Sequence, residues 1–291
     1  LALRLGEISA ALEGMSPTAL NELPFIVVIE LIMILIGGYL AWQHGLSSAG
    51  RQRAEQRASE MPAWNVSLLN FFLFLWFIFC GGLLAQSIIS LVLKSISVSE
   101  TASLIIAGGS FHGGMLLGVV MFKFIFDRPD QSFRVGLSTG GKIAAGVATF
   151  LIVLPILTIV GLVWQNLLHA LGIPIEAQDL IGIFANTKSP LLFSLMVLLA
   201  TVVAPITEEL IFRAGFFRYA RTRFSRWIAL LVPALLFGAL HANLASFVPL
   251  AALGVIFSLA YERTGSIAVP MIAHGLFNLN TILLILAGVG V

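Results

Sequence analysis

Cysteine is all but missing from this 291-residue chain. The single one, Cys80, stands in an apolar run, so no intrachain disulfide and no thiolate metal cluster is available, and it reads as a small buried hydrophobe. Charge is scarce as well. Only 10% of the residues are charged against 59% hydrophobic, and the mean hydropathy is +1.02. That balance excludes an ordinary soluble domain, because no soluble core hides so much apolar surface. The net charge of +2 is small and the basic residues fall in short loops, which leaves no basis for a nucleic-acid partner. No internal repeat with matching halves is present, which removes the commonest sequence sign of a secondary transporter. Low-complexity stretches are absent too, as are a His-Glu-x-x-His zinc motif and any Ser or Cys at a credible nucleophile position.

What is abundant is long apolar runs. About eight of them reach the 18 or so residues needed to cross a hydrocarbon core of roughly 30 Å, near 24–44, 68–93, 101–125, 142–168, 189–210, 225–243, 247–262 and 266–288. The expected fold is an all-α polytopic bundle of membrane helices. Before the first run, Leu3, Leu5, Ile8 and Leu12 recur at helical spacing among Arg4, Glu7 and Glu13, the pattern of a helix over Leu1–Leu23 lying on the membrane surface. No basic region precedes a short apolar stretch, so the first span is expected to be retained rather than cleaved with a signal peptide.

Eight spans with the N-terminus outside put 13 of the 16 Lys and Arg residues on or near the inner face: Arg51, Arg53, Arg57, Lys123, Arg128, Arg134, Lys142, Arg213, Arg218, Arg221, Arg223, Arg226 and Arg263. Arg4, Lys94 and Lys188 fall outside. This asymmetry predicts that both termini face away from the cytoplasm. Two polar loops, Ser47 to Pro62 and Asp127 to Gly141, interrupt the chain, and the second suggests a division into accessory helices over 1–141, about three spans, and a core over 142–291, about five. The glycines of the third span, Gly108, Gly109, Gly113, Gly114 and Gly118, suit close helix packing. His112 among them is ionisable at membrane depth, where such residues are expensive and commonly functional, although one interhelical hydrogen bond would satisfy it. His44 and His169 sit at span ends and are unremarkable.

The chemistry concentrates in the last 90 or so residues, in Glu208-Glu209-Leu-Ile-Phe-Arg213, Phe237-Gly-Ala-Leu-His241 and His274-Gly-Leu-Phe-Asn278. Burying such groups costs roughly several kcal/mol unless they are paired or hydrated. Glu209 and Arg213 are four apart and can pair on one helix face, whereas Glu208 is turned about 100° away and is left without a partner on its own helix. His274 and Asn278 are also four apart and project together. The basic stretch Tyr219 to Arg226 reads as a turn between antiparallel helices. Glu208 and His241 then lie roughly 24 Å from it on either side, with His274 roughly 13 Å into the last helix from the same face. A pocket opening to the cytoplasm follows. In it a carboxylate takes a proton from water while a histidine orients that water, and a neighbouring imidazole and amide donate to a tetrahedral oxyanion. Glu209 with Arg213 reads first as structural support.

A double Glu with Arg at the fourth position after the second Glu, then Phe-x-x-x-His, then His-x-x-x-Asn, resembles the CAAX protease and bacteriocin-processing family of integral membrane proteins, over about residues 142–288. The resemblance implies an intramembrane glutamate-dependent endopeptidase in which Glu208 and His241 activate water, His274 and Asn278 form the oxyanion site, and Glu209 and Arg213 support them. It implies a peptide or membrane-protein substrate and a prokaryotic plasma membrane, and it calls for neither cofactor nor metal. Members in eukaryotes trim prenylated C-termini, while prokaryotic relatives serve in peptide maturation, bacteriocin immunity and protein sorting, so no single substrate is selected. Three rivals stand beside it: a zinc peptidase with two His and a carboxylate as ligands, a transporter using Glu and His as a proton relay, and a catalytically silent scaffold of the immunity type.

Overall fold

The computed structural model describes residues 17–56, 59–126, 137–174, 182–184 and 187–288. Residues 1–16 of the expected surface helix lie outside this range, as do Arg57, Arg128, Arg134 and the start of the second polar loop. The described elements are helical: α1 (Pro17–Ala41, prolonged by a wide turn at Trp42–Leu46), α2 (Ser48–Gln56), α3 (Leu68–Leu93), α4 (Glu100–Phe126), α5 (Thr139–Ala170), α6 (Pro190–Arg221), α7 (Arg226–Ala239), α8 (Leu244–Thr264) and α9 (Ala268–Leu286). Seven of them are long and apolar enough to cross a membrane, α1 doing so over Pro24–Leu46. Helices satisfy their own backbone polar groups, as a hydrocarbon surrounding demands. The outward side chains agree with that surrounding: Leu35 is 72% exposed and Phe124 91%, within a belt of apolar residues that water would not tolerate. The protein is a multi-pass membrane protein.

The sixth apolar run differs from the expected span. Read as 225–243, it forms a helix of only 14 residues, about 21 Å long and short of a full crossing. It stops because Ala242 adopts a left-handed φ of 50° and the Asn243 side chain accepts the Ser246 N–H, which starts α8 instead.

Helix α5 is the hub, packed by α1, α8 and α9, while α3 and α4 form a tight pair that meets the bundle through α6. The α3–α4 approach is backbone to backbone. A Cβ on Gly114 would collide with the Gly81 carbonyl, and one on Gly118 with the Phe77 backbone. The loop before α3 fastens this pair to the end of α6 and to α8 at one end of the molecule. There Glu60 N–H donates to the Glu262 carbonyl (3.0 Å), Arg218 donates to the Pro62 and Ala63 carbonyls (2.7 and 2.9 Å), and Arg223 donates to the Trp64 and Val66 carbonyls. Trp64 enters an aromatic cluster with Phe71, Phe74, Phe122 and Tyr219. Glu262 pairs with Arg221 (2.7 Å) and Arg226 (2.8 Å) across the same end. The α2–α3 loop, the α6–α7 turn and the α8–α9 turn therefore share one face. On α1, Glu30 accepts from the Asn280 amide of α9 at 3.3 Å, a polar link within the apolar bundle.

Candidate active site

Helix α6 is not a regular helix where it carries the two glutamates. Wide π-type turns at Leu199–Val203 and Leu210–Phe217 flank the α-helical stretch Ala204–Glu209. Pro205 has no N–H for the carbonyl four residues back, so the helix loosens at Thr201, and such bulges recur at functional sites. The loosened stretch leaves the Ala200 carbonyl able to accept the Asn278 amide of α9 at 2.8 Å. Gly275 lies directly against Thr201, where an added Cβ would sit 2.5 Å from the carbonyl oxygen. The two helices cross in backbone contact, and that crossing sets the depth of His274 and Asn278 against Glu208 and Glu209.

Glu209 is fully buried and its Oε1 accepts two hydrogen bonds, from Arg213 Nη1 (2.8 Å) and His274 Nδ1 (2.9 Å). A carboxylate paired with arginine only accepts, so Nδ1 carries the hydrogen and the other ring nitrogen is turned away from Glu209. That nitrogen, Nε2, faces Glu208 Oε2 at 3.7 Å. The result is a chain Arg213–Glu209–His274–Glu208. Arg213, 1% exposed, stacks its guanidinium over Phe237 (4.5 Å to the ring centroid) and Phe257 (5.3 Å). Glu208 differs from its neighbour in being open: its side chain is 21% exposed, and its described close contact is with His274.

His241 lies just beyond the end of α7, exposed, with Nδ1 2.8 Å from the Phe237 carbonyl. A carbonyl only accepts, so Nδ1 is again the donor, and in a neutral ring Nε2 is left as an acceptor for water. The Phe237 ring stands between the two histidines, 4.9 Å from His241 and 6.0 Å from His274 by centroids. Of the residues singled out from the sequence, Glu208, Glu209, Arg213 and His274 are in direct contact. Asn278 lies one turn from His274 on the same helix, and His241 is joined to them through Phe237. Phe237 is part of the Phe-x-x-x-His pattern without an assigned role, and the structure gives it one as the ring between the two histidines. His112, whose depth in the membrane marks it in the sequence, lies on α4, which packs on the Ala204–Glu209 stretch of α6. An apolar furrow of about 460 Å³ runs along α6 and α9, lined by Thr201, Val202, Ile206, Met271 and Gly275 among others. Among the described residues no group of three or more His, Cys, Asp or Glu is arranged to hold a metal ion.

Apolar helices long enough to cross a membrane, enclosing a carboxylate–imidazole chain, define a membrane-embedded protein with a buried polar cluster. Residues 190–280 match the family described as type II CAAX prenyl endopeptidase Rce1-like, and the chain belongs to this family of membrane peptidases. It is 31% identical over 164 residues to a Bacillus subtilis (strain 168) protein named "Putative membrane peptidase YdiL", which takes in 55% of this chain and 64% of that one. A Lactococcus lactis subsp. lactis (strain IL1403) relative, UPF0177 protein YbdI, is 32% identical over 43% of this chain and 71% of its own. An uncharacterized 24.3 kDa protein of Escherichia coli is 32% identical over 36% of this chain and 50% of its own. The chain thus spans somewhat less than two thirds of the Bacillus protein's length. No solved structure matches it.

Proposed function

We propose that the protein is an intramembrane endopeptidase in which Glu208 is the general base. The observation that carries this reading is the unequal treatment of two adjacent carboxylates. Glu209 is locked between Arg213 and His274, whereas Glu208 is open and faces the far nitrogen of the same imidazole.

In this reading Glu208 takes a proton from a water that also donates to His241 Nε2, and the oxygen attacks the carbonyl carbon of the scissile bond. The carbonyl electrons move onto its oxygen. The second N–H of Asn278, whose first is held by Ala200, donates to that oxyanion, and so does His274 Nε2 when the ring carries both protons. The oxyanion then collapses, the carbon–nitrogen bond breaks, and the proton on Glu208 passes to the leaving amine, which restores the carboxylate. Glu209 and Arg213 hold His274 in place. The apolar furrow suits an apolar part of a peptide or membrane-protein substrate. The basic face of the molecule, where the arginine-rich loops gather, is taken to lie in the cytoplasm of a prokaryotic cell, because inner loops carry the excess of Lys and Arg.

The test is cleavage, by the purified protein in detergent, of a quenched-fluorescent peptide ending in a prenylated cysteine and three further residues, the substrate type in the matched family's description. The expected result is turnover that survives a chelator and that falls about 100- to 1,000-fold in kcat, with KM little changed, in Asn278→Ala. Activity lost to a chelator and restored by stoichiometric zinc would replace this reading with a zinc peptidase, and an Asn278→Ala protein impaired in KM alone would move Asn278 to substrate recognition.

A further inference from the structure

We propose that His112, on α4, is a positioning residue that orients the Glu208 carboxylate through an intervening water; this rests on the reading of Glu208 as the base. Glu208 has nothing on its own helix to hold it, because Arg213 is taken by Glu209, and its 3.7 Å approach to His274 is longer than a hydrogen bond. A carboxylate with free rotation makes a poor base, since proton transfer needs it aimed. One more donor is called for, and α4, which packs on the stretch carrying Glu208, bears an imidazole.

The packing explains how. The glycines of α4 divide between faces. Gly114 and Gly118 meet α3, while Gly108 turns to α6, where an added Cβ would be 3.4 Å from Leu199 Cδ2. Ile105, on the same side, packs in a cluster with Met196 and Ala200. One membrane span, α5, separates α4 from α6, so the two helices run in the same direction, with Gly108 beside Leu199. His112, one turn beyond Gly108, arrives beside the Ala204–Glu209 stretch, and α4 touches that stretch directly. His112 makes no direct hydrogen bond or ion pair with Glu208, so the link between them runs through water. The ring is half-buried, and its Nδ1 is fully buried with no hydrogen-bond partner among the described residues. A buried imidazole nitrogen left in that condition is costly in a structural histidine and useful in one that engages a reacting group. Around it, Gly109 and Gly113 carry no side chain and face open space, so the backbone beside His112 leaves room for water or a substrate chain. Glu208 thus faces His274 of α9 directly, with α4 and its His112 packed on the stretch that carries it. The pair of helices α3 and α4, outside the segment that matches the family, supplies part of the site.

The test has one readout that needs no substrate. In infrared difference spectra of the purified protein, the carboxylate band that disappears in Glu208→Gln identifies Glu208, and it is expected to shift in His112→Ala. Turnover of the prenylated peptide should fall about 10- to 100-fold in kcat with KM within about twofold, and His112→Asn, which keeps an N–H near the Nδ1 position, should restore part of it. In the Glu208→Gln background His112→Ala should change nothing further, as expected of residues acting as one unit. An unshifted Glu208 band, or a His112→Ala enzyme with the wild-type kcat, would overturn the proposal. So would a loss of activity matched by a lower melting temperature and not relieved by His112→Asn. If Glu208→Gln itself turned over at the wild-type rate, the base assignment would fall first; if it were inactive while His112→Ala was unaffected, the positioning role alone would fall.

Discussion

Arg213 carries its charge where no water reaches it, and everything about its surroundings is arranged around that fact. One nitrogen donates to Glu209, and the flat face of the guanidinium lies over Phe237 and Phe257, which a compact ammonium could not match. Removing it leaves Glu209 buried with one of its two donors gone, so Arg213→Ala is expected to cost about 3–5 kcal/mol, read as a lower melting temperature in detergent, with Arg213→Lys recovering only part. Unchanged stability with lost turnover would instead make Arg213 a direct participant. The Glu209–Arg213 pair was legible in the sequence because both residues lie on one helix four apart. The bond from His274 to Glu209 was not, because spacing speaks only for partners on the same element and these are 65 residues apart. For the same reason the sequence pointed to Glu208 as the unpaired carboxylate without revealing that His274 would face it.

Among the elements, α6 and α9 carry the site, and their crossing at Gly275 and Thr201 sets its geometry. A methyl group at 275 would be driven into the Thr201 carbonyl. Gly275→Ala is therefore expected to push α9 away from α6, lengthen the Asn278–Ala200 hydrogen bond and destabilise the protein by about 1–3 kcal/mol, measurable as a shift in thermal melting; a variant as stable as the wild type would show that the crossing is soft. The membrane helices themselves were read from apolar runs with errors of a few residues at most ends, but α6, read as ending near 210, continues to Arg221. The run read to 243 did not report that α7 stops at Ala239, because Leu240 and Ala242 carry the apolar pattern past the helix end and the stop is a backbone turn at Ala242. Nor did hydropathy report the π-type turns of α6, although Pro205 lies within it.

At the level of the whole molecule, the loops rich in arginine converge. Arg218 and Arg223 hold the carbonyls of the loop before α3, and Arg221 and Arg226 hold Glu262, so the positive-inside pattern doubles as the fastening of one end of the bundle. Placing that end in the cytoplasm predicts that a cysteine at Thr222, introduced after Cys80→Ala, is labelled only by reagents that cross the membrane; labelling by an impermeant reagent from outside would reverse the orientation. The central claim is narrower than orientation and concerns two neighbouring glutamates that differ in role. It is tested most directly by purifying Glu208→Gln and Glu209→Gln side by side and measuring melting temperature and turnover of the prenylated peptide for each. The account predicts that Glu208→Gln melts like the wild type but has lost turnover, while Glu209→Gln melts at a clearly lower temperature; a folded Glu208→Gln protein that cleaves at the wild-type rate would contradict it.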